Sequence, residues 1–153
     1  MADESVRHQI MDAVIDALEG ITVANGYSTE VAYVSESIKH WEQIDKNLFP
    51  CCFPIDTDET KEWATIGGAT DVEGDLTIVV TSMVYSSTNT TRTARTNLLR
   101  DVEKAILNDT TLLGLILNIA PVRVVTDRGA IPNYSVFDQV FLITYRYSST
   151  AGG

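Results

Sequence analysis

TNTTRTARTNLLRDVEKAILNDTTLLGLIL, residues Thr88 to Leu117, decides the fold. Ala94, Leu98, Val102, Ala105 and Ile106 recur at helical spacing and form one apolar stripe, while Arg95, Arg100, Asp101, Glu103 and Lys104 take much of the remaining surface. Asn89 or Thr90 is the candidate N-cap, with other capping residues between Ser86 and Thr93. Asn108 and Asp109 interrupt the pattern, and Leu112 to Leu117 reads as a further helical turn or two on the same core. A helix with one apolar face needs a cover, and its flanks supply strands at Asp75 to Tyr85, Pro121 to Thr126 and Ser135 to Tyr147. The pattern predicts an α/β (α+β) fold: a mostly antiparallel or mixed sheet of about four to five strands, two main helices packed on one face, and an extended arm or hairpin.

The 153 residues suit a single domain, 1–153, and an apolar fraction of 44% is ordinary for a globular chain. Eleven basic and twenty-one acidic side chains give a formal charge of -10. That balance argues against a broad nucleic-acid-binding surface, though not against a ring through which nucleic acid passes ungripped. Asp3 and Glu4 open the chain without a basic region and apolar signal core, and the apolar runs are too short to cross a bilayer. The expectation is a protein that is cytosolic when made and has no membrane partner.

Before the central stretch, Ser5 can cap a helix whose Val6, Ile10, Ala13, Val14, Ala17, Leu18 and Ile21 share one face, with Gly20 at its end. Asn25-Gly26 is a turn signal, and Glu30 to Val34 alternates as a short strand. Ser35 to Asn47 is charged, contains Trp41, and holds too few apolar positions for a core element, so it reads as an excursion with a helical turn or two between Ser37 and Ile44. Leu48 to Ile55 looks extended, but Pro50 and Pro54 confine it to an edge or a bend. The adjacent Cys51 and Cys52 make no long staple and read as two thiols facing opposite sides of that strand. Residues 56–73 read as an exposed polar connection and protruding arm, in which Trp63 and Ile66 would be costly to leave wet in a monomer.

Leu76 to Tyr85 is the strongest central strand, with Leu76, Ile78, Val80, Ser82 and Val84 on one side and Thr77, Val79, Thr81, Met83 and Tyr85 on the other. Both sides carry apolar residues, so something besides the helices must cover part of the second. In the last strand Val136, Val140 and Leu142 oppose Phe137, Phe141, Ile143, Tyr145 and Tyr147, and the polar Asp138-Gln139 predicts a bulge or twist between them. Residues 148–153 read as a flexible tail.

Chemistry-bearing motifs are scarce. His8 and His40 belong to no paired-histidine metal motif, and no serine sits in a hydrolase elbow. Asp56, Asp58, Glu59 and Glu62 resemble a calcium loop only superficially, because Lys61 and Gly67 stand where glycine and glutamate are required. Gly67-Gly68 and Gly129 are turn glycines without phosphate-loop spacing. Arg92, Arg95 and Arg100 lie on more than one helix face, so Arg92 and Arg95 are either solvated or paired within the chain, or meet the acidic arm of another copy. No catalytic, metal or cofactor residue is assigned. What remains is apolar surface on Trp41, Trp63, the second side of the central strand and the aromatic side of the last one, as expected of an assembly component and not of an enzyme.

The order of elements resembles the tail terminator, or tail-to-head joining, proteins of long-tailed bacteriophages, of the minor tail protein U type. The resemblance is carried by the helix Ser5 to Glu19, Leu76-Thr77-Ile78-Val79-Val80, the helix containing Arg95 to Leu107, and Val122 to Ala130 followed by Tyr134-Ser135-Val136-Phe137 and the long final strand. It spans roughly residues 5 to 147, and at Ser35 to Asn47 and Leu48 to Ile55 the family pattern does not carry over residue by residue. It implies a homohexameric ring at the head-proximal end of the virion tail, which stops the tail tube, receives the head connector and lets double-stranded DNA through without sequence-specific binding. Asp71, Glu73 and Asp75 are then candidates for an acidic lumen. A head completion or neck adaptor protein, or another tail-ring protein, would use similar surfaces. A small-ligand or catalytic α/β protein would instead need a concave site joining residues such as His8, Asp127 and Arg146.

Overall fold

The structure, a computed structural model, describes residues 5–64, 70–88 and 90–150. Five strands form one sheet in the order β1-β2-β3-β5-β4: β1 (Tyr33–Val34), β2 (Cys51–Trp63), β3 (Asp71–Tyr85), β4 (Asn118–Thr126) and β5 (Tyr134–Ser148). All neighbours are antiparallel except β1 and β2. Helices α1 (Val6–Glu19) and α2 (Thr91–Leu107) pack together on one side of the sheet, with the short α3 (Thr110–Leu115) against α1. This is the predicted mixed fold.

Local chemistry sets the helix ends. The Ser5 hydroxyl accepts the His8 amide at 3.1 Å and starts α1, and the Asp109 carboxylate accepts the Leu112 amide at 2.9 Å and starts α3. Thr90 precedes α2 without a side-chain cap, and Asn89, the other candidate, lies outside the described residues. Both predicted stripes are buried: Ile10, Ala13, Val14, Ala17 and Leu18 from α1, and Leu98, Val102, Ala105 and Ile106 from α2. They meet Leu76, Ile78, Val80 and Val84 of β3 and Phe137, Phe141, Ile143 and Tyr145 of β5. Each fully buried Leu or Ile contributes roughly 1.5–3 kcal/mol here.

The other side of the sheet has its own small core, and this corrects the reading of Ser35 to Asn47 as a segment without core residues. Two short 3-10 turns, Trp41–Gln43 and Lys46–Leu48, fold that segment over Cys51, Phe53 and Met83, burying Ile44 and half-burying Trp41, Leu48 and Phe49. Few apolar residues suffice because the patch they cover is small. Cys51 faces this cluster and Cys52 the main core, as alternation requires.

Three more expectations are corrected. The first strand is only Tyr33–Val34, paired with Cys51 and Cys52, so among the described residues no strand pairs with the outer backbone of β2 from Phe53 onward, and Pro54 is tolerated there. Strand β2 does not end at Ile55: Asp56 to Glu62, read as a polar connection, continues the strand as far as Trp63, through an irregularity between Asp56 and Glu59. Pairing of β3 with β5 is continuous from Asp71↔Ser148 to Tyr85↔Tyr134, with no bulge at Asp138-Gln139. Gln139 simply occupies the buried side, where its Nε2 donates to the Leu99 carbonyl of α2 at 3.0 Å. The irregularity lies instead in β4, between Pro121 and Arg123.

Candidate assembly surface

β4 begins at Asn118, opposite Thr144, so beyond that row the sheet consists, among the described residues, of β2, β3 and β5. Residues paired across these strands share a side. On the helix side lie Lys61, Gly74 and Tyr145, then Trp63, Val72 and Tyr147. On the reverse lie Thr60, Asp75 and Thr144, then Glu62, Glu73 and Arg146, with Asp71 beyond them. The arm therefore has one aromatic side and one acidic side. Trp63 is 61% exposed, the Tyr145 and Tyr147 rings stack at 5.6 Å, and the Lys61 ammonium sits 5.1 Å from the Tyr147 ring centroid. On the acidic side Glu73 pairs with Arg146 at 3.2 Å and Asp75 accepts the Thr144 hydroxyl at 2.8 Å.

A polar network roots the arm in the domain. The Glu59 side chain, 4% exposed, accepts the Tyr145 hydroxyl proton, and the Lys61 ammonium stands 3.2 Å from its other oxygen. That second oxygen, Oε2, has no aligned hydrogen-bond donor, but the ammonium supplies its counter-charge. Arg7 of α1 approaches Glu59 at 3.8 Å and donates from Nε to Asp56 at 2.7 Å, so the first turn of α1 is tied to the arm. Burial, and then the Glu59 hydrogen bond, push the Tyr145 phenol up, which keeps it a donor. Hydrogen bonding to Tyr147, and then to Glu59, holds the Lys61 ammonium above its ordinary value.

The other residues singled out in the sequence divide. Trp41 is not a free surface residue: its ring lies 4.5 Å from Tyr134 in the second core. The aromatic side of the last strand is likewise no interface over most of its length, since Phe137, Phe141 and Tyr145 are buried beneath the helices. Arg95 pairs within the chain, donating to Ser135 at 3.2 Å and standing 3.9 Å from Asp127, whereas Arg92 is exposed. Asp101, placed on the polar side of α2, is buried and accepts from both the amide and the hydroxyl of Thr29 at 2.8 and 2.7 Å. His8 faces Asp12 at 3.4 Å, Asp127 serves the 127–136 turn, and Arg146 serves Glu73, so these three form no common site. His40 caps the Trp41–Gln43 turn. Ile66, Gly67 and Gly68, and residues 151–153 of the expected tail, lie outside the described residues. Among the described residues no cluster of His, Cys, Asp and Glu could hold a metal ion, and no helix is long and apolar enough to cross a membrane.

One surface escaped the sequence reading. β4 is the outer strand, and Val122, Val124 and Val125 are 55%, 44% and 50% exposed. Between β4 and α2 runs a groove of about 270 Å³ lined by Leu99, Glu103, Val122, Arg123, Phe141 and the buried Gln139 among others. Gln139 Oε1 accepts no hydrogen bond among the described residues. The alternation of Val122 and Val124 was legible, but not that the strand would lie at an edge.

No protein-family model matches the sequence, and no curated protein matches it. The chain is similar to a protein chain in the solved structure of the virion of a native gene transfer agent particle, at 13% identity and a TM-score of 0.49, over 95% of this chain and 100% of that one. A likeness this distant says nothing about what the present chain binds.

Proposed function

We propose that the protein is a structural virion component of the tail-terminator type. Its copies close into a hexameric ring at the head-proximal end of a bacteriophage tail, stop growth of the tail tube, and offer the far rim to the head connector. The observation that carries this reading is the two-sided arm. Trp63, 61% exposed, stands on one side of the sheet with the half-buried Val72 and Tyr147, and this apolar surface costs solvation in a lone subunit and is useful against another copy. Glu62, Asp71, Glu73 and Asp75 stand on the reverse, where a ring would present them to passing DNA and repel its phosphates. An arm that meets a different patch of the next copy makes a head-to-tail contact, and closed rotation turns such a contact into a ring instead of a fibre.

Solution molar mass, measured by light scattering across protein concentration and again with purified tail tubes, tests the reading. A closed hexamer, or a monomer that becomes a ring on tube ends, is the expected result. A concentration-independent monomer that ignores tubes overturns it.

A further inference from the structure

We propose that the arms of neighbouring copies join edge to edge, the outer edge of β5 in one copy pairing in parallel with the outer edge of β2 in the next, with Arg146 opposite Glu62. The inference rests on the ring reading and adds which strands make the contact. Backbone geometry leaves both edges open. The Ala64 amide donates to the Asp71 carbonyl at 3.0 Å, and the Ser149 amide to the Thr70 carbonyl at 2.7 Å. Backbone groups alternate in direction along an antiparallel ladder, so Thr60 and Glu62 turn theirs toward β3 while Lys61 and Trp63 turn theirs outward. By the same alternation Tyr145 and Tyr147 turn toward β3, and Thr144, Arg146 and Ser148 outward. The Leu117 amide donates to the Thr144 carbonyl at 2.8 Å, but among the described residues no strand pairs with the outward groups of Arg146 and Ser148, or with those of Lys61 and Trp63. Neither open edge contains proline, whereas the outer strand β4 carries Pro121 beside its register shift.

Direction and charge select this pairing. β2 and β5 are each antiparallel to β3 and so run the same way, and copies rotated about an axis along the arm present these two edges to each other in parallel. In a parallel ladder an outward residue lies opposite an inward one and bonds to the neighbours of that residue, so Arg146 opposite Glu62 bonds to Lys61 and Trp63. Arg146 and Glu62 stand on the acidic side, and Tyr147 meets Trp63 on the aromatic side, so both sides continue across the seam. Within its own copy Glu62 lies directly opposite Glu73, a like-charge pair, and has no ion pair among the described residues. Arg146 is available to it: its side chain is 49% exposed, and of the five guanidinium N–H groups only that on Nε is engaged, by Glu73. Two-fold contacts are disfavoured, because β5 against β5 brings Arg146 to Arg146 and β2 against β2 brings Glu62 to Glu62.

Charge reversal in the full-length chain tests the pairing. Glu62→Arg sets two cations at every seam and Arg146→Glu two anions, so each variant alone should assemble about tenfold or more weakly than the unaltered chain in light scattering, with tail tubes or without. Co-expressed, the two variants should recover, since alternating copies oppose unlike charges at every seam. In addition, oxidised Glu62→Cys/Arg146→Cys should give a ladder of disulfide-linked copies. Inside one copy β3 holds the two positions about 10 Å apart, too far for a disulfide, and the fully buried Cys51 and Cys52 stay out of the reaction. Disulfide-linked dimer from Glu62→Cys alone would mean that β2 meets β2. That result, rings without the ladder, or no recovery on co-expression overturns this inference and leaves the ring standing. A monomer at every concentration, and with tail tubes added, overturns the inference and the ring together.

Discussion

Tyr145 of β5 reaches over Gly74 of β3 to donate its hydroxyl to Glu59 of β2, so a single hydrogen bond spans three strands at the root of the arm. The strand between them is glycine for a steric reason: a Cβ at position 74 would lie 3.1 Å from both Glu59 Oε1 and the Tyr145 ring. The arm's aromatic side begins where this crossing ends.

Tyr145→Phe removes the hydroxyl and leaves a nearly buried carboxylate oxygen without its donor. The expected loss is about 1–3 kcal/mol of folding stability, read as a lower urea midpoint with an unchanged slope. An unaltered midpoint would show that the hydroxyl contributes nothing to the root of the arm.

Gly74→Ala should be costly for the opposite reason, since the added methyl must push Glu59 and Tyr145 apart. An overpacking penalty of roughly 1–3 kcal/mol is expected. In the Tyr145→Phe background the penalty should shrink, because the ring is then free to shift, and a double-mutant cycle measures the difference.

The two tryptophans should part company. Trp63→Ala leaves thermal stability within about 0.5 kcal/mol, as for an exposed side chain, while weakening self-association. Trp41→Ala uncovers the second core and should cost about 2 kcal/mol or more. Equal losses of fold and assembly at Trp63 would make it a core residue. That contrast was not legible in the chain, where both residues sit in charged surroundings. Trp41 is covered because Tyr134, 93 positions away in sequence (134 − 41), stands beneath it.

Asp101→Ala should lower stability by about 1–3 kcal/mol by stranding the Thr29 amide and hydroxyl. Asp101→Asn, which keeps an acceptor, should recover part of the loss. Chemical denaturation of both variants checks this.

Alkaline pH should unfold the protein by a route that involves Cys51 and Cys52. Burial pushes both thiols up to about 12, against an ordinary 9.0. Above about 9 the unfolded chain releases these protons while the folded chain keeps them, so stability is full below that value and falls as pH rises toward about 12. Denaturant midpoints between pH 8 and 11 should fall, and Cys51→Ala/Cys52→Ala should flatten the decline. Thiol-reagent labelling at pH 8 should require unfolding.

The sequence by itself determined both long helices with their buried stripes, the two sides of the central strand and the opposite facing of Cys51 and Cys52. These follow from periods of 3.6 and 2 that neighbouring residues impose on one another. It marked Trp63 as exposed on an arm but ended the strand leading into it at Ile55, because polar alternation from Asp56 to Glu62 looks the same in a loop as in a strand whose partner lies elsewhere. Only the tertiary structure decided that Asp101 and Gln139 are buried, that Ser35 to Asn47 covers the second side of the sheet, and that β4 is an edge bordering a groove. In each case the deciding partner is remote in the chain, Thr29 for Asp101, the Leu99 carbonyl for Gln139 and Tyr134 for Trp41. A polar residue's burial depends on whether such a partner arrives to satisfy it, and no local pattern records that arrival.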